Sequence, residues 1–558
     1  MPKTRGARHF AEVMQGYGVT HVFFVPAVLL EATAEMEDMN IRRVMAHGEK
    51  AAAYMADGYA RASGRPGVCF AQNIGASNLA AGLRDAAQAG VPVIAFTGGP
   101  NAASRHRNYY QEIEDFNQFD PVTKFNGTVD HVSRLPDLMR QAFREATTGA
   151  PGPVHLRLPG VIADVIDHEA DLELVVDARF ARAPAFRPAP APAQVHAALA
   201  RIAAAERPII IAGGGVMTSR AQAQLVAFAE KLALPVATSL NAKSAIADDH
   251  PLSVGVIGTY SRDCANRAVH EADLAIFIGS HTGGQVTSLW KVPALDTPIV
   301  HLDIAAAELG RNYPHTTPVL GDARTGLEAL IAAADPVPES ARAGWLGQVR
   351  SLVDGWRTAN APNLESNAVP MRPERVCRAI SDVLPADGVL VADTGHSGIW
   401  TGTMVSLVEP GQRYIRCAGS LGWALPGSIG VKAALPDRPV VCFAGDGAAY
   451  YHIAELETAA RYGIDTVFVI NNNSALNQEI AHYDWAYGGK QRGKSEEMWR
   501  FRRVNFAEVA TAFGCAGYRV EDPADMADTL REALACGRPA VIDAVTDTYA
   551  IPDPPWVP

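Results

Sequence analysis

The sequence lacks several patterns that would assign a function class directly. No apolar run approaches the roughly 18 residues that a membrane-spanning helix needs, and the amino-terminal residues contain no apolar signal core. Seven cysteines among 558 residues are scattered without a CxxC pair. This usage argues against a disulfide framework or a zinc site and favours a reducing compartment. We therefore expect a cytoplasmic protein that does not span a membrane.

Other absences concern charge and catalytic motifs. The net charge is −11 and no basic stripe interrupts it, so nucleic acid is not the expected partner. The one basic cluster, RFRR at 500–503, is short and is explained by a solvated helix face. HExxH and GxSxG are also missing, which argues against a zinc protease and a serine hydrolase of that type.

The length and the pattern of apolar segments indicate three domains. A chain of 558 residues is too long for one core. Strands and helices alternate within 1–165, 194–335 and 371–558, which is typical of doubly wound α/β domains with parallel sheets. Between them, the Pro/Ala-rich segment 166–193 and the segment 336–370 lose this periodicity. We predict that both are weakly structured connections.

The most informative stretch begins at the GDG tripeptide, residues 445–447. Residues 440–443 form an apolar run that predicts a buried strand ending at this tripeptide. An amphipathic helix is predicted next, ended by Gly463, and residues 466–470 predict the following strand. Asn472 and Asn473 lie at the end of that second strand. The pattern therefore places an acid at one strand end and amides at the next.

The ends of parallel strands are where ligands bind in such sheets, and glycines let the backbone approach a phosphate. Asp446 cannot neutralise a phosphate, so its position calls for a bridging hard cation. Mg²⁺ prefers oxygen ligands from one or two protein groups, with phosphates completing its shell. Asp446 and an Asn amide oxygen fit that requirement. An ordinary Gly-Asp-Gly turn is the alternative interpretation.

GDG followed by a helix, a strand and NN resembles the signature of thiamine-diphosphate-dependent enzymes. The resemblance implies that thiamine diphosphate is bound through Mg²⁺. It also implies that Asp446, the Asn473 side chain and the Ala475 carbonyl hold the metal. Asn471 leaves an ambiguity of one residue, which the match to the family resolves in favour of the pair at 472–473. The residues implied to contact the cofactor in this segment are Gly445, Gly447 and Ala448.

A second block, HGEKAAAYMADGYARASGRPGV at 47–68, resembles the segment around the activating glutamate in the acetolactate synthase and pyruvate oxidase branch of that family. The resemblance implies that Glu49 forms a hydrogen bond to the pyrimidine ring of the cofactor and activates it. A helix-N-terminal acid, favoured by the helix dipole, is the alternative. In this family the domain with the glutamate faces the diphosphate-binding domain of a partner subunit. A homodimer, commonly a tetramer, with active sites at the interface is therefore implied.

The same resemblance assigns further residues. The Gly419 carbonyl would accept a hydrogen bond from the cofactor's amino group, and Leu421 would be the apolar wedge that bends the cofactor, although core packing also explains Leu421. Gly395, His396 and Ser397 match a stretch that contacts the diphosphate, with a surface turn as the alternative.

Two loops of the first domain are candidates for substrate contact. Asn73 lies in the loop 72–78, which offers amide donors near the reacting carbonyl. Gln111 lies in a long loop beside two tyrosines, and the family's Gln at that place points at the thiazolium ring. Helix capping and loop anchoring are the competing explanations.

The middle domain gives a weaker signal. Glycines at 213–215 after one strand and Asp303 after another suit the phosphates and ribose of a nucleotide. In relatives this domain binds FAD, ADP or nothing. Acetolactate synthases carry two arginines in the segment that corresponds to 279–285, where this chain reads GSHTGGQ. An amide at Gln285 cannot replace a guanidinium at a carboxylate, so FAD and a strict acetolactate synthase activity are both placed in doubt.

The sequence therefore predicts three domains: pyrimidine-binding, central and diphosphate-binding. The predicted activity is that of a carboligase or lyase that resembles acetolactate synthase and acts on a 2-oxo acid or 2-hydroxy carbonyl donor. A 2-hydroxyacyl-CoA lyase or a 2-oxo-acid decarboxylase is the alternative. A non-catalytic cofactor-binding subunit is the hypothesis from a different class.

Overall fold

In a computed structural model, which describes residues 3–113 and 116–558, the chain forms three six-stranded parallel sheets in sequence order. This confirms the predicted α/β class with three doubly wound domains. Each sheet lies within one of the three predicted ranges, whose exact boundaries remain a prediction. Within the described part of the chain, no helix is long and apolar enough to cross a bilayer.

The first domain places its sheet between two groups of helices. The strand order is β3-β2-β4-β5-β7-β6, and a separate short pair joins β1 to β8. The strands are β1 (Thr4–Arg5), β2 (His21–Phe24), β3 (Arg42–Met45), β4 (Gly67–Ala71), β5 (Val93–Thr97), β6 (Phe125–Thr128), β7 (Val154–Arg157) and β8 (Glu169–Ala170). The helices are α1 (Gly6–Gly16), α2 (Leu30–Glu35), α3 (Glu49–Ser63), α4 (Ala76–Ala89) and α5 (Leu135–Thr147).

The central domain has the strand order β11-β10-β9-β12-β13-β14. Its strands are β9 (Pro208–Ala212), β10 (Val236–Thr238), β11 (Ser253–Val256), β12 (Leu274–Ile278), β13 (Ile299–Asp303) and β14 (Thr316–Leu320). Its helices are α6 (Pro192–Ala204), α7 (Gly214–Thr218), α8 (Gln222–Leu232), α9 (Asp263–Glu271) and α10 (Ala323–Ala333), and α11 (Ala343–Leu364) leads to the third domain.

The third domain has the strand order β16-β15-β17-β18-β20-β19. Its strands are β15 (Val389–Ala392), β16 (Arg413–Arg416), β17 (Val440–Gly445), β18 (Val467–Asn472), β19 (Ala516–Val520) and β20 (Ala540–Val545). Its helices are α12 (Pro373–Val383), α13 (His396–Met404), α14 (Ala424–Ala434), α15 (Asp446–Tyr451), α16 (Glu455–Tyr462), α17 (Glu479–Ala486), α18 (Phe506–Ala512) and α19 (Met526–Ala535).

The first and third sheets share one topology. Counting strands from the first sheet member in each domain, both have the order 2-1-3-4-6-5, whereas the central sheet has the order 3-2-1-4-5-6. In open parallel sheets, ligands bind beyond the carboxyl ends of the strands where the order reverses. In the third domain that point lies between β15 and β17. The GDG tripeptide begins at the last residue of β17, so the topology places it at the expected ligand-binding edge.

The first and third domains share a continuous apolar core. Alanines of α3 and residues of α14 belong to one buried cluster. The two helices approach closely at glycines: a Cβ at Gly58 would meet the Gly427 carbonyl, and a Cβ at Gly430 would meet the Met55 carbonyl. Small residues on both faces therefore allow the backbones of α3 and α14 to touch, and this contact fixes the first domain against the third.

Two sequence predictions about the elements are wrong. The segment 336–370 contains α11, a 22-residue helix, rather than a weakly structured connection. Its buried residues Trp345, Val349 and Val353 recur every fourth residue and pack with the core beside α9. The single helix predicted after GDG is two helices, α15 and α16, with a break at 452–454. Gly463, with φ of 61°, does end α16 in the left-handed conformation.

Candidate active site

The segments that follow β15 and β17 converge at the edge of the third sheet. Gly395 has φ of 62°, a left-handed conformation that suits glycine, and α13 begins directly after it at His396. Ser397, in the first turn of α13, brings its Oγ to 3.6 Å from the position that a Cβ of Gly445 would take. The structure thus brings the predicted stretch 395–397 next to GDG, and that stretch begins a helix rather than forming a surface turn.

Asp446 is the first residue of α15 and is 2% exposed. Its carboxylate accepts the backbone N–H of Gly447 at 2.7 Å and that of Ala475 at 3.2 Å. Burial raises its pKa to about 7, against the effect of these N–H donors. A cation bound beside this carboxylate would favour its ionised form and lower its pKa again.

Asn473, rather than Asn472, lies beside this carboxylate. The Asn473 Oδ1 accepts the same Ala475 N–H, at 3.0 Å, that also points at Asp446. The Asn472 amide is directed elsewhere, to the Asp543 carboxylate at 2.7 Å. The geometry therefore places one carboxylate and one amide oxygen around a single backbone segment, and it distinguishes the two adjacent asparagines.

His396 is held by a side chain from the same edge. Its Nδ1 lies 2.8 Å from the Asn477 Oδ1, and burial lowers its pKa. The neutral ring is thus favoured, and its orientation is fixed by the amide. Ala448, also predicted to contact the cofactor, is buried in the first turn of α15.

The loop 418–421, between β16 and α14, is held by two buried carboxylates. Asp85 of α4 accepts three successive backbone N–H groups, those of Ala418, Gly419 and Ser420, at 2.8, 3.1 and 3.0 Å. Asp393 accepts the N–H of residues 422 and 424 at 3.0 and 2.8 Å. Leu421 lies between these anchors, partly buried against the core shared with α3.

Asp85 belongs to a wider buried network that joins the two domains. Arg61 donates two hydrogen bonds to Asp57, at 2.7 and 2.9 Å, and one to Asp85 at 2.7 Å. The Trp423 indole N–H completes the network at Asp57, at 2.8 Å. None of these residues was singled out from the sequence. The available signal was Asp57 itself, an acid within the alanine-rich face of α3.

Glu49 begins α3, as predicted, at the other half of the candidate site. Its carboxylate accepts a hydrogen bond from the Asn78 amide at 3.1 Å and lies against Gly75. Within the described residues of this chain, no hydrogen bond joins Glu49 to Asp446. Residues next to Glu49 do contact the third domain: the His47 backbone N–H donates to the Glu455 carboxylate at 3.0 Å, and the Lys50 Nζ lies 5.8 Å from the ring centroid of Tyr451 at the end of α15.

The two candidate substrate loops contact one another. The Asn73 amide donates to the Gln111 carbonyl, and the Gln111 amide donates to the Gln72 side chain at 3.3 Å. Gln111 itself has φ of 58°, which is uncommon for a residue with a Cβ. Such conformations concentrate at functional sites. Asn73 is buried and in part anchors the loop, which was the competing explanation.

Large apolar side chains are exposed around both halves of the site. In the first domain they are Ile74, Tyr109, Tyr110 and Ile113; in the third they are Tyr450, Tyr451, Trp485 and Met498. Trp485 is 84% exposed and Tyr110 is 71% exposed. Exposed apolar side chains of this size are the kind of surface that a partner chain covers when they form a patch.

A separate cavity of about 580 Å³ opens at the edge of the central sheet. Its walls include Gly214, Gly215 and Asp303, the residues predicted to suit a nucleotide, and Gln285. Asp303 has a pKa that burial raises, opposed by the Ala305 N–H. This cavity lies at the reversal of strand order between β9 and β12, the corresponding position of the central sheet.

Comparison with known proteins matches the chain along its length. Residues 4–119 match the family described as thiamine pyrophosphate enzyme, N-terminal TPP binding domain. Residues 195–330 match thiamine pyrophosphate enzyme, central domain. Residues 393–544 match thiamine pyrophosphate enzyme, C-terminal TPP binding domain.

Relatives align over almost the whole chain. It is 31% identical to the probable acetolactate synthase large subunit of Methanocaldococcus jannaschii, over 97% of this chain and 92% of the relative. It is 30% identical to the acetolactate synthase isozyme 1 large subunit of Escherichia coli K12, over 97% and 94%. It is 29% identical to the acetolactate synthase of Mycobacterium bovis, over 98% and 88%.

Proposed function

The chain belongs to the thiamine pyrophosphate enzymes, in the branch of the acetolactate synthases, and on that premise we propose that it forms carbon–carbon bonds next to a carbonyl group at the edge between β15 and β17. Thiamine diphosphate, when bound, supplies a ring that stabilises negative charge on the former carbonyl carbon. The protein contributes binding, orientation and proton positioning. The observation that carries this proposal is the convergence of Asp446 and Asn473 on one backbone N–H.

The residues at this edge fit a diphosphate bridged by Mg²⁺. We propose that Asp446, Asn473 and the Ala475 carbonyl hold the metal, since Mg²⁺ takes oxygen ligands and binds proteins through few of them. A bound cation would counteract the effect of burial, which raises the pKa of Asp446. The residues proposed to contact the cofactor are Gly395, His396, Ser397, Gly419, Leu421, Gly445, Gly447 and Ala448.

Glu49 fits the role of the activating acid. Glu49 is the first residue of α3 and is partly buried. Its carboxylate accepts a hydrogen bond from the Asn78 amide at 3.1 Å. A carboxylate fixed in this way can share a proton with a ring nitrogen of a cofactor placed against it. The Asn73 amide donates a hydrogen bond to the Gln111 carbonyl, which joins the two candidate substrate loops. We propose that Asn73 and Gln111 orient the substrate carbonyl.

We propose that the complete site forms between two copies of the chain, in a homodimer or homotetramer. Glu49 contacts residues of its own domain, and the described residues show no hydrogen bond from it to Asp446. Apolar side chains are exposed beside both halves. A second copy that covers these surfaces would bring the first domain of one subunit to the third domain of the other.

The donor is proposed to be a 2-oxo acid or a 2-hydroxy carbonyl compound. The side chain at Gln285 lines the central cavity and offers an amide where a bidentate guanidinium would be needed to hold a carboxylate or a flavin nucleotide tightly. We therefore propose an acceptor other than a second 2-oxo acid, and a central domain without tightly bound FAD.

Replacing Glu49 with Gln tests the mechanism. We expect exchange of the C2 proton of bound thiamine diphosphate for deuterium to slow by a factor of roughly 10² to 10⁴, which is the usual contribution of a positioned acid or base. Exchange is measured by NMR after acid quench, with cofactor binding measured in parallel. Glu37→Gln, at an exposed position, is the matched control. Unchanged exchange in Glu49→Gln with cofactor bound would contradict the assignment.

A further inference from the structure

The hydrogen bonds around His396 determine which of its ring nitrogens carries a proton. The ring is partly buried at the start of α13, and its Nδ1 lies 2.8 Å from the Asn477 Oδ1. The Asn477 Nδ2 donates to the backbone carbonyls of Thr548 and Ala550, both at 3.1 Å. Because these two bonds use both amide protons, Oδ1 faces the histidine and can only accept. The Nδ1 atom of His396 must therefore carry the proton in this contact.

The other ring nitrogen of His396 has no proton as long as the ring is neutral. In a neutral imidazole one nitrogen donates and the other accepts, so Nε2 presents a lone pair. In the described part of the chain, the ring forms its one hydrogen bond at Nδ1, which leaves Nε2 available to a ligand. Burial lowers the pKa of His396 more than the bond to Asn477 raises it. We therefore expect a neutral ring in the cofactor-free protein above about pH 7.

The carboxy-terminal segment keeps the Asn477 amide in this orientation. Besides the two carbonyls that the amide contacts, the Thr548 hydroxyl donates to the Asn473 carbonyl at 2.7 Å. Further along the chain, the backbone N–H of Trp556 donates to the Asp263 carboxylate of α9 at 3.1 Å. The segment is thus attached both at the edge of the third sheet and on the central domain, and it holds the amide from outside the site.

The titratable neighbours of His396 lie on α17. Glu479 raises the pKa of His396 and His482 lowers it. These two residues are bonded to each other, with the His482 Nδ1 3.1 Å from the Glu479 carboxylate. Within the described ranges neither forms a hydrogen bond to the His396 ring. A proton at Nε2 therefore requires an acceptor that the chain itself does not provide.

We propose that His396 binds the diphosphate of the cofactor as an imidazolium, that its second ring proton is taken up when the diphosphate binds, and that Asn477 is the residue that positions it. This inference rests on the proposed function, which puts the diphosphate at the edge between β15 and β17. An ionised diphosphate oxygen only accepts hydrogen bonds, so it repels the lone pair of Nε2 and attracts a protonated nitrogen. The proton comes from the solvent: one N–H bond forms at Nε2, and no bond of the cofactor changes.

Calorimetric titration of the cofactor-free protein with thiamine diphosphate, at saturating Mg²⁺ and about pH 8, counts this proton. Titrations in two buffers of different ionisation enthalpy give the number of protons taken up per site. We expect the wild type to take up about 0.5–1 proton more than His396→Gln, whose amide donates to an oxygen without titrating. Asp446 is present in both proteins, so its own change of protonation cancels in the difference. His482→Gln makes the same change at an exposed neighbour and should match the wild type.

The pH dependence of cofactor affinity gives a second readout. Since binding takes up a proton, affinity should fall as pH rises. Between about pH 7 and 9, the Kd of the wild type should rise by up to about tenfold more per pH unit than that of His396→Gln. A purely structural role of His396 would change the affinity without changing this slope.

Nitrogen NMR of protein labelled at its histidine rings tests the role of Asn477. We expect the cofactor-free wild type to carry its His396 proton on Nδ1 alone and the cofactor-bound wild type to carry protons on both nitrogens. Asn477→Leu, which removes the acceptor, should lose the preference for Nδ1 and bind thiamine diphosphate roughly tenfold more weakly at about pH 8. The His396 signal is identified by its loss in His396→Gln.

Two results overturn the proposal: equal proton uptake by the wild type and His396→Gln, or a proton on Nε2 instead of Nδ1 in the cofactor-free wild type. Either result, with thiamine diphosphate bound normally, leaves the proposed function intact. If the wild type does not bind thiamine diphosphate at all, the proposed function fails together with this inference.

Discussion

At the residue scale, Asn472 and Asn473 are neighbours with different partners, and their substitution should separate metal binding from folding. Asn473→Ala removes the amide oxygen beside Asp446, so we expect the Mg²⁺ concentration needed for half-maximal activity to rise by roughly tenfold or more. Asn472→Ala removes hydrogen bonds to Asp543 and the Val504 carbonyl. It should lower the free energy of unfolding by about 1–3 kcal/mol and leave the Mg²⁺ requirement unchanged.

Magnesium titrations of activity and urea unfolding of the cofactor-free proteins measure the two effects. A raised Mg²⁺ requirement in Asn472→Ala, with an unchanged one in Asn473→Ala, would show that the metal ligand has been assigned to the wrong asparagine.

A second residue-scale prediction concerns pH. Burial raises the pKa of Asp393 to about 6 from an ordinary value of 3.8, an effect that the N–H groups of residues 424, 422 and 394 oppose and the charge of Asp85 increases. Between pH 3.8 and about pH 6, the folded protein binds more protons at Asp393 than the unfolded chain does. The free energy of unfolding should therefore fall as pH rises through this window, by about 3 kcal/mol, and stay level above it.

Asp393→Asn isolates this contribution, because the amide does not titrate. We expect the stability difference between wild type and variant to change across pH 4 to 6 and to be constant at higher pH. Chemical denaturation at a series of pH values, with cofactor-free protein, provides the measurement. Stability curves that stay parallel through the window would contradict a raised pKa at this position.

The sequence located residues at positions that a local pattern marks, whereas the roles proposed for them rest on the resemblance to the thiamine-diphosphate enzymes. Glu49 at a helix start and Asp446 at a strand end could be located because capping and strand-end positions are encoded by neighbouring residues. Asp85 and Asp393 could not, because their partners are backbone N–H groups of a loop distant in sequence. Every residue carries an N–H group, so no side-chain pattern marks those that a buried carboxylate will bind.

At the scale of elements, the contact between α3 and α14 depends on glycine. Gly430→Ala would place a Cβ against the Met55 carbonyl, and backbone on both sides cannot move as a flexible side chain could. We expect the free energy of unfolding to fall by at least about 2 kcal/mol, measured by urea denaturation. Activity should fall as well, since α14 begins directly after the loop that Asp85 and Asp393 hold.

Gly355→Ala is the matched control, since it makes the same chemical change in α11, where a Cβ would have no neighbour within 4 Å. Alanine has the higher helix propensity, so this variant should gain about 0.5–1 kcal/mol. Equal effects of the two substitutions would refute a specific role for the helix contact.

The elements themselves were predictable where one periodicity dominated. Apolar runs correctly predicted strands such as β17 and β18, whereas strands of mixed composition, such as β6 and β14, were not predicted individually. α11 was missed because its buried positions are three residues among many polar and small ones. The break between α15 and α16 was missed because 452–454 carries no proline or glycine. The pairing of α3 with α14 depends on tertiary packing, which no local pattern contains.

At the scale of the whole molecule, each half of the proposed site has large apolar side chains near it that one chain leaves exposed. Glu49 lies beside exposed Ile74, and the third-domain half lies near exposed Tyr451 and Trp485. If the site forms between subunits, one chain can supply an intact first domain and the other chain an intact third domain, even when each chain carries an inactivating change in its other domain. Mixed dimers therefore distinguish a shared site from one contained within a chain.

We expect Glu49→Gln and Asp446→Ala each to be inactive alone and to regain activity when unfolded and refolded together. In a mixed dimer, one site pairs the intact first domain of the Asp446→Ala subunit with the intact third domain of the Glu49→Gln subunit, and the other site carries both changes. With random pairing, half of the dimers are mixed and one of two sites in each is intact, so activity should reach about a quarter of the wild-type value. Each variant refolded by itself is the control. A mixture that stays inactive, although its subunits exchange, would place Glu49 and Asp446 in the same site of one chain.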